Sequence, residues 1–96
     1  MQVTHHPEAG AELIEAARYY ERNVQTLGTQ FLDEVERTVA QILAAPNRWP
    51  IVETDIRRCL ISRFPYAIYY RVLPDELRIL AFKHHSRHPD YWRTRG

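Results

Sequence analysis

The apolar residues of this 96-residue chain change their spacing once along its length. Up to Pro46 they recur at three and four positions, the spacing of one helical face; from Ile56 onward they alternate, as in a strand with one buried side. A chain of this size builds one core, so helices and strands must bury their apolar sides against each other. The expected fold is α+β: an N-terminal strand, then an antiparallel helical hairpin packed on a small antiparallel sheet of C-terminal strands. The order is β-α-α-β-β-β with a short C-terminal tail, in a single domain spanning residues 1–96.

Residues Gln2 to Thr4 make a short extended start with Val3 as apolar contact, and His5 and His6 lead into a helix whose first residue is Pro7. Leu13, Ala17, Tyr20, Val24 and Leu27 form its apolar stripe, Glu8, Glu12, Glu15, Arg18 and Arg22 its other side, and Gly28 is expected to end it. Thr29 is expected to cap a second helix, in which Phe31, Leu32, Val35, Val39, Ile42 and Leu43 recur until Pro46. The stretch from Asn47 to Asp55 reads as a crossing loop pinned to the core by Trp49 and Ile51. Strands follow at Ile56–Phe64, Tyr66–Val72 and Leu77–His84, with turns at Pro65 and at Leu73–Glu76. Tyr66, Ile68, Tyr70 and Val72 alternate with Ala67, Tyr69 and Arg71, so one sheet face is strongly apolar, covered by the helices, and the other mixed.

No run approaches the length of an apolar span, the N-terminus lacks a signal-peptide layout, and Cys59 is alone. A cytoplasmic protein without membrane contact is expected. The net charge of +1 conceals an asymmetry: residues 1–55 hold four Arg against nine carboxylates, a balance of −5, and residues 56–96 hold nine Arg or Lys against three, a balance of +6. Arg57, Arg58, Arg63, Arg71, Lys83, His85 and Arg87 could converge on one open sheet edge as an anion site. Tyr91 and Trp92 could add a stacking surface, the combination used for single-stranded nucleic acid; a solvated basic strand face is the plainer reading. His84 and His85 point to opposite sides of a strand, and neither they nor His88 have a Cys or a paired carboxylate to complete a site, so no metal or cofactor is expected. There is no Gly-rich phosphate loop and no nucleophile elbow.

The element order, with RR-x-L at Arg57–Leu60, FPYAIYYRV, LRILAFKHH and the terminal SRHPDYW, resembles the RelE/ParE superfamily of bacterial toxins. That resemblance implies the toxin of a type II toxin–antitoxin, or plasmid-stabilisation, pair, neutralised by a small and often DNA-binding antitoxin. It also offers two activities. RelE-like members cut messenger RNA on the ribosome with two alternating lysines, two arginines and a C-terminal tyrosine. Here Arg58 takes the first lysine position, but Leu60, Ala67 and Ser86 stand at later ones, Arg87 is displaced by one, and Trp92 replaces the tyrosine with Tyr91 beside it. The resemblance therefore leans to the ParE-like branch, whose members poison DNA gyrase and are not hydrolases. It implies a target-contact surface of Arg57, Arg58, Arg63, Lys83, Arg87, Tyr91 and Trp92, with Trp92 alternatively a packing anchor. A ribonuclease would have to use a rearranged set of Arg58, Arg71, His85, Arg87 and Tyr91; a third alternative is an inactive homologue that only binds antitoxin. The antitoxin is expected in the apolar and basic groove left between hairpin and sheet.

Overall fold

The computed structural model describes all residues from Met1 to Gly96. Strand β1 (Gln2–His5) leads into helices α1 (Pro7–Asn23) and α2 (Leu27–Ala44). Strands β2 (Ile51–Glu53), β3 (Ile56–Leu60), β4 (Tyr66–Leu73) and β5 (Glu76–His84) follow. They form one five-stranded sheet in the order β1-β5-β4-β3-β2, with β1 parallel to β5 and the other pairs antiparallel. The α+β order expected from the sequence is the one observed, with one strand added. No helix is long and apolar enough to cross a membrane.

Helix α1 begins at Pro7, and His6 caps it by accepting the Glu8 N–H on Nδ1 at 3.1 Å. It stops at Asn23, well short of the expected Gly28, and the cause lies in Glu21. That carboxylate accepts the backbone N–H groups of Thr26 at 2.9 Å and Gly28 at 3.0 Å, so α1 supplies the N-terminal cap of α2. Thr26, at φ 70°, makes the turn, and the expected cap, Thr29, already lies inside α2. Gly28 is thus a contact residue: a Cβ there would lie 2.5 Å from the Ala17 carbonyl oxygen and 2.9 Å from Glu21 Cβ. Alanine is the better helix former, yet Gly28→Ala is expected to lower stability by about 1–3 kcal/mol through overpacking, measurable by urea unfolding.

The main core lies between hairpin and sheet. Phe31, Val35 and Ile42 of α2 and Ala9 and Ala16 of α1 pack against Cys59, Ile68, Tyr70, Leu77, Ile79 and Phe82. The buried Tyr70 hydroxyl donates to the Pro46 carbonyl at 2.8 Å, fixing the chain where α2 ends. Trp49 packs on this core as expected, but Ile51 is 52 % exposed and belongs to β2. A three-residue strand is too short to show alternation, which is why it reads as loop.

Strand β3 ends at Leu60 instead of Phe64, because Arg63 turns the chain at φ 71° and the Tyr66 N–H bonds back to the Phe64 carbonyl at 2.8 Å. The β4–β5 register also shifts. Tyr69 faces Ala81 and Tyr70 faces Ile79, leaving Leu80 as the extra residue of a bulge. Leu80 and Ala81 therefore both join Ile56, Ala67, Tyr69 and Trp92 in a second buried cluster on the sheet face away from the helices. The C-terminal tail supplies Trp92 to this cluster, and Arg93 ties the tail to Glu53 of β2 at 2.8 Å.

Candidate functional site

Past Ile79 the chain of β1 turns away into α1, and β5 would be left with unpaired backbone. Two side chains take over: Glu12 accepts the Phe82 N–H at 3.2 Å, and Arg95 donates to the Leu80 carbonyl at 3.0 Å. Glu12 and Arg95 also bond each other at 2.9 Å, with side chains only 11 % and 8 % exposed. The sequence pattern places Glu12 on the outer side of α1; the structure turns it inward. Ala9 and Ala16, three before and four after it, are both buried, and that small-residue flank is the signal that could have revealed Glu12. Nothing in the sequence marks Arg95.

Arg87 and Tyr91 belong to the same corner. The Arg87 guanidinium stacks 4.1 Å from the Tyr91 ring centroid and lies 3.6 Å from Glu12 Oε2; Arg95 stacks on the same ring at 4.9 Å. The Tyr91 hydroxyl is buried without a hydrogen-bond partner, and burial, reinforced by the neighbouring Glu12 carboxylate, pushes its pKa well above the usual phenol range. Such a group is poorly suited to proton transfer near neutrality. Beside this corner, a cleft of about 320 Å³ opens between α1 and the ends of β4 and β5, lined by Glu15, Tyr19, Tyr66, His84 and Arg87 among others.

The seven basic and imidazole side chains do not converge on one edge. Strand alternation and the turn after Leu60 separate them. Arg57 donates to the carbonyls of Asn47 at 3.0 Å and Trp49 at 2.7 Å, holding the connection before β2. Arg63 bonds Gln30 of α2 at 2.8 Å and stacks on Phe64, so it serves the helical side. Arg71 pairs with Asp55 at 3.0 Å at the far end of β4. Trp92, expected as a possible contact residue, is 4 % exposed with its ring 4.7 Å from Tyr69; it is the packing anchor and cannot stack on a base.

Arg58 and Lys83 do share a face. The register runs Leu60–Ala67–Lys83 across three strands, with Arg58 two residues before Leu60 on β3. Arg58 is exposed and makes no ion pair. Lys83 is 6 % exposed, covered at the sheet surface by its neighbours, and its ammonium donates only to the His84 carbonyl at 3.2 Å. Burial, then Arg58 and Arg87, hold its pKa below the usual lysine range. His85 is exposed at the end of the strand. His84 accepts the Ser86 N–H at 3.0 Å and lies 2.8 Å from the Ser86 hydroxyl, closing a turn. No three His, Cys, Asp or Glu side chains come together in a way that could hold a metal ion.

Residues 3–89 match the family model described as the ParE toxin of the type II toxin–antitoxin system parDE. The chain belongs to the ParE toxin family. Among solved structures it is similar to one described as the chromosomal ParDE TA system from P. aeruginosa, at 18% identity and a TM-score of 0.76 over 88% of this chain and 95% of that one. At that identity the likeness is one of fold. No curated protein matches the sequence.

Proposed function

We propose that this chain is the growth-arresting toxin of a type II toxin–antitoxin pair and acts in the cytoplasm by binding DNA gyrase, without hydrolytic chemistry of its own. The observation that carries this reading is the state of the positions a ribonuclease of the superfamily would use. Leu60 and Ala67 have no ionisable group, and Ser86 is engaged with His84. Within the rearranged nuclease set, Arg71 is held by Asp55 at 3.0 Å, and Tyr91 is wedged beside Glu12. In-line cleavage needs positioned charge and a proton acceptor at one phosphate. Arg58, Lys83 and Arg87 remain as the target-contact surface, while Arg57, Arg63 and Trp92 keep the fold. A small antitoxin is the second partner, and the cleft beside α1, lined in part by the exposed Tyr19, suits an amphipathic segment of it.

Induced expression in bacteria tests the reading. Filamentation with a DNA-damage response, and inhibition of purified gyrase, are the expected results. Rapid loss of translation with cut messages would instead support the ribonuclease built on Arg58, Arg71, His85, Arg87 and Tyr91, and absence of toxicity the antitoxin-binding homologue. Arg58→Glu is expected to raise the toxin level needed for arrest by about ten-fold or more, while changing stability by no more than about 0.5 kcal/mol, since Arg58 is exposed and unpaired. Growth curves against induction, paired with thermal melts, read both numbers.

A further inference from the structure

The face away from the helices is covered unevenly. The tail crosses it at Tyr69, where Trp92 packs, and is tied down by Arg93 to Glu53 and by Arg95 to Glu12. At the end of the sheet beyond Tyr69 the row Leu60–Ala67–Lys83 meets Arg58; Ala67 and Lys83 are buried there at 1 % and 6 % exposure, while Leu60 and Arg58 are exposed. Two features of this end are unusual. Leu60 is 62 % exposed, more than any other large apolar side chain of the protein. Lys83 has two arginines, Arg58 and Arg87, as its charged neighbours and no carboxylate among them. Arg87 reaches an acid only at 3.6 Å, on the α1 side. Arg58 and Lys83 thus have no counter-charge, and like charges held together in that way cost free energy that an arriving anion recovers.

Two anions could fit such a cluster: the phosphates of a nucleic acid or the carboxylates of a peptide. A single-stranded nucleic acid gains most of its non-ionic binding from stacking on aromatic side chains. The aromatic residues of this face, Tyr69 and Trp92, are buried at 6 % and 4 % exposure, and Tyr91 is sandwiched into the Glu12 corner. What remains exposed beside the cations is a leucine, which offers nothing to a phosphate and a good seat to an apolar side chain.

We infer that the exposed Arg58 and Arg87, beside the buried Lys83, and Leu60 together receive an acidic, apolar-anchored peptide segment of a protein partner, its carboxylates on the two guanidinium groups and one apolar residue on Leu60. The inference rests on the reading of this face as the contact with the growth target and adds the chemistry of the segment bound. Because the seat combines charge with an apolar contact, its affinity depends on both; a purely electrostatic surface would lose affinity only on loss of charge.

The test is a titration of the full chain, followed by backbone amide NMR shifts, with two probes. One is the capped peptide acetyl-Asp-Leu-Glu-Leu-Asp-amide; the other is an oligothymidylate of about ten nucleotides. The peptide is expected to saturate with shifts centred on Arg58, Leu60, Ala67 and Lys83. Arg58→Gln and Leu60→Asn should each weaken it by about ten-fold, and the oligothymidylate should bind the patch more weakly than the peptide. Tighter binding of the oligothymidylate at the same residues overturns the inference in favour of nucleic acid, and absence of peptide shifts at the patch overturns it outright. Peptide affinity unchanged in either variant overturns it too. If Arg58→Gln abolishes toxicity but leaves peptide binding intact, the inference falls and the target-contact reading stands. If peptide binding is lost while toxicity persists, the seat is supported and the target-contact reading falls.

Discussion

Glu12→Ala is expected to destabilise the protein by about 3–5 kcal/mol, more than any charge change on the sheet surface. The carboxylate accepts the Phe82 N–H and the Arg95 guanidinium at once, and both of those donors are shielded from water. Alanine leaves a buried cation and an unpaired strand N–H on an edge that β1 has already abandoned. Urea unfolding should report the loss, and Trp92 fluorescence should change in the folded baseline, since Arg95 tethers the tail that carries Trp92 over Tyr69. The double variant Glu12→Leu with Arg95→Met separates a broken pair from a valuable one. Removing both charges together should recover most of the loss, because desolvation offsets much of the attraction within a buried pair. A cost below about 1 kcal/mol for Glu12→Ala would mean that water already reaches this corner.

The same corner shows what a one-dimensional pattern can and cannot carry. Pro7, the stripe from Leu13 to Tyr20 and the alternation through Ile68 and Tyr70 place the helices and the central strands, because period reports which side of an element is buried. Gly28 misleads for a physical reason. Glycine after an apolar stripe commonly ends a helix, but it is equally required where two helices approach closely, and only the packed hairpin distinguishes the two. Leu80 is a similar case: the bulge there shifts which of its neighbours face the helices, and no local residue announces it. The basic cluster inherits both difficulties. Arg58 and Arg57 separate by alternation alone, which can be read from the sequence, whereas the removal of Arg63 to the helical side depends on its left-handed turn. Lys83 reaches the Arg58 face only because the register is re-phased across Leu80.

The second large effect is expected at Phe31. Its ring is 0 % exposed and meets Tyr20, Phe64 and Tyr66 at centroid distances of 5.2, 5.1 and 5.2 Å, so it joins α1, α2, the turn after β3 and the start of β4. Phe31→Ala should cost about 3–5 kcal/mol, from lost burial plus a cavity whose aromatic walls cannot collapse without moving three elements. Leu32→Ala, one residue away but 42 % exposed, should cost about 1 kcal/mol or less. In thermal melts each kcal/mol corresponds to a midpoint shift of about 4–8 °C for a domain of this size, so the pair should be well resolved. The consequence reaches the cleft as well. Tyr66 packs on Phe31 on one side and edge-on to His84 at 5.0 Å on the other, and His84 closes the turn that positions Arg87. A Phe31→Ala protein held below its melting point should therefore show shifted His84 and Ser86 signals, whereas Leu32→Ala should not. Equal costs for the two variants would place the weight of the hairpin on its outer face and remove Phe31 as the link between core and cleft.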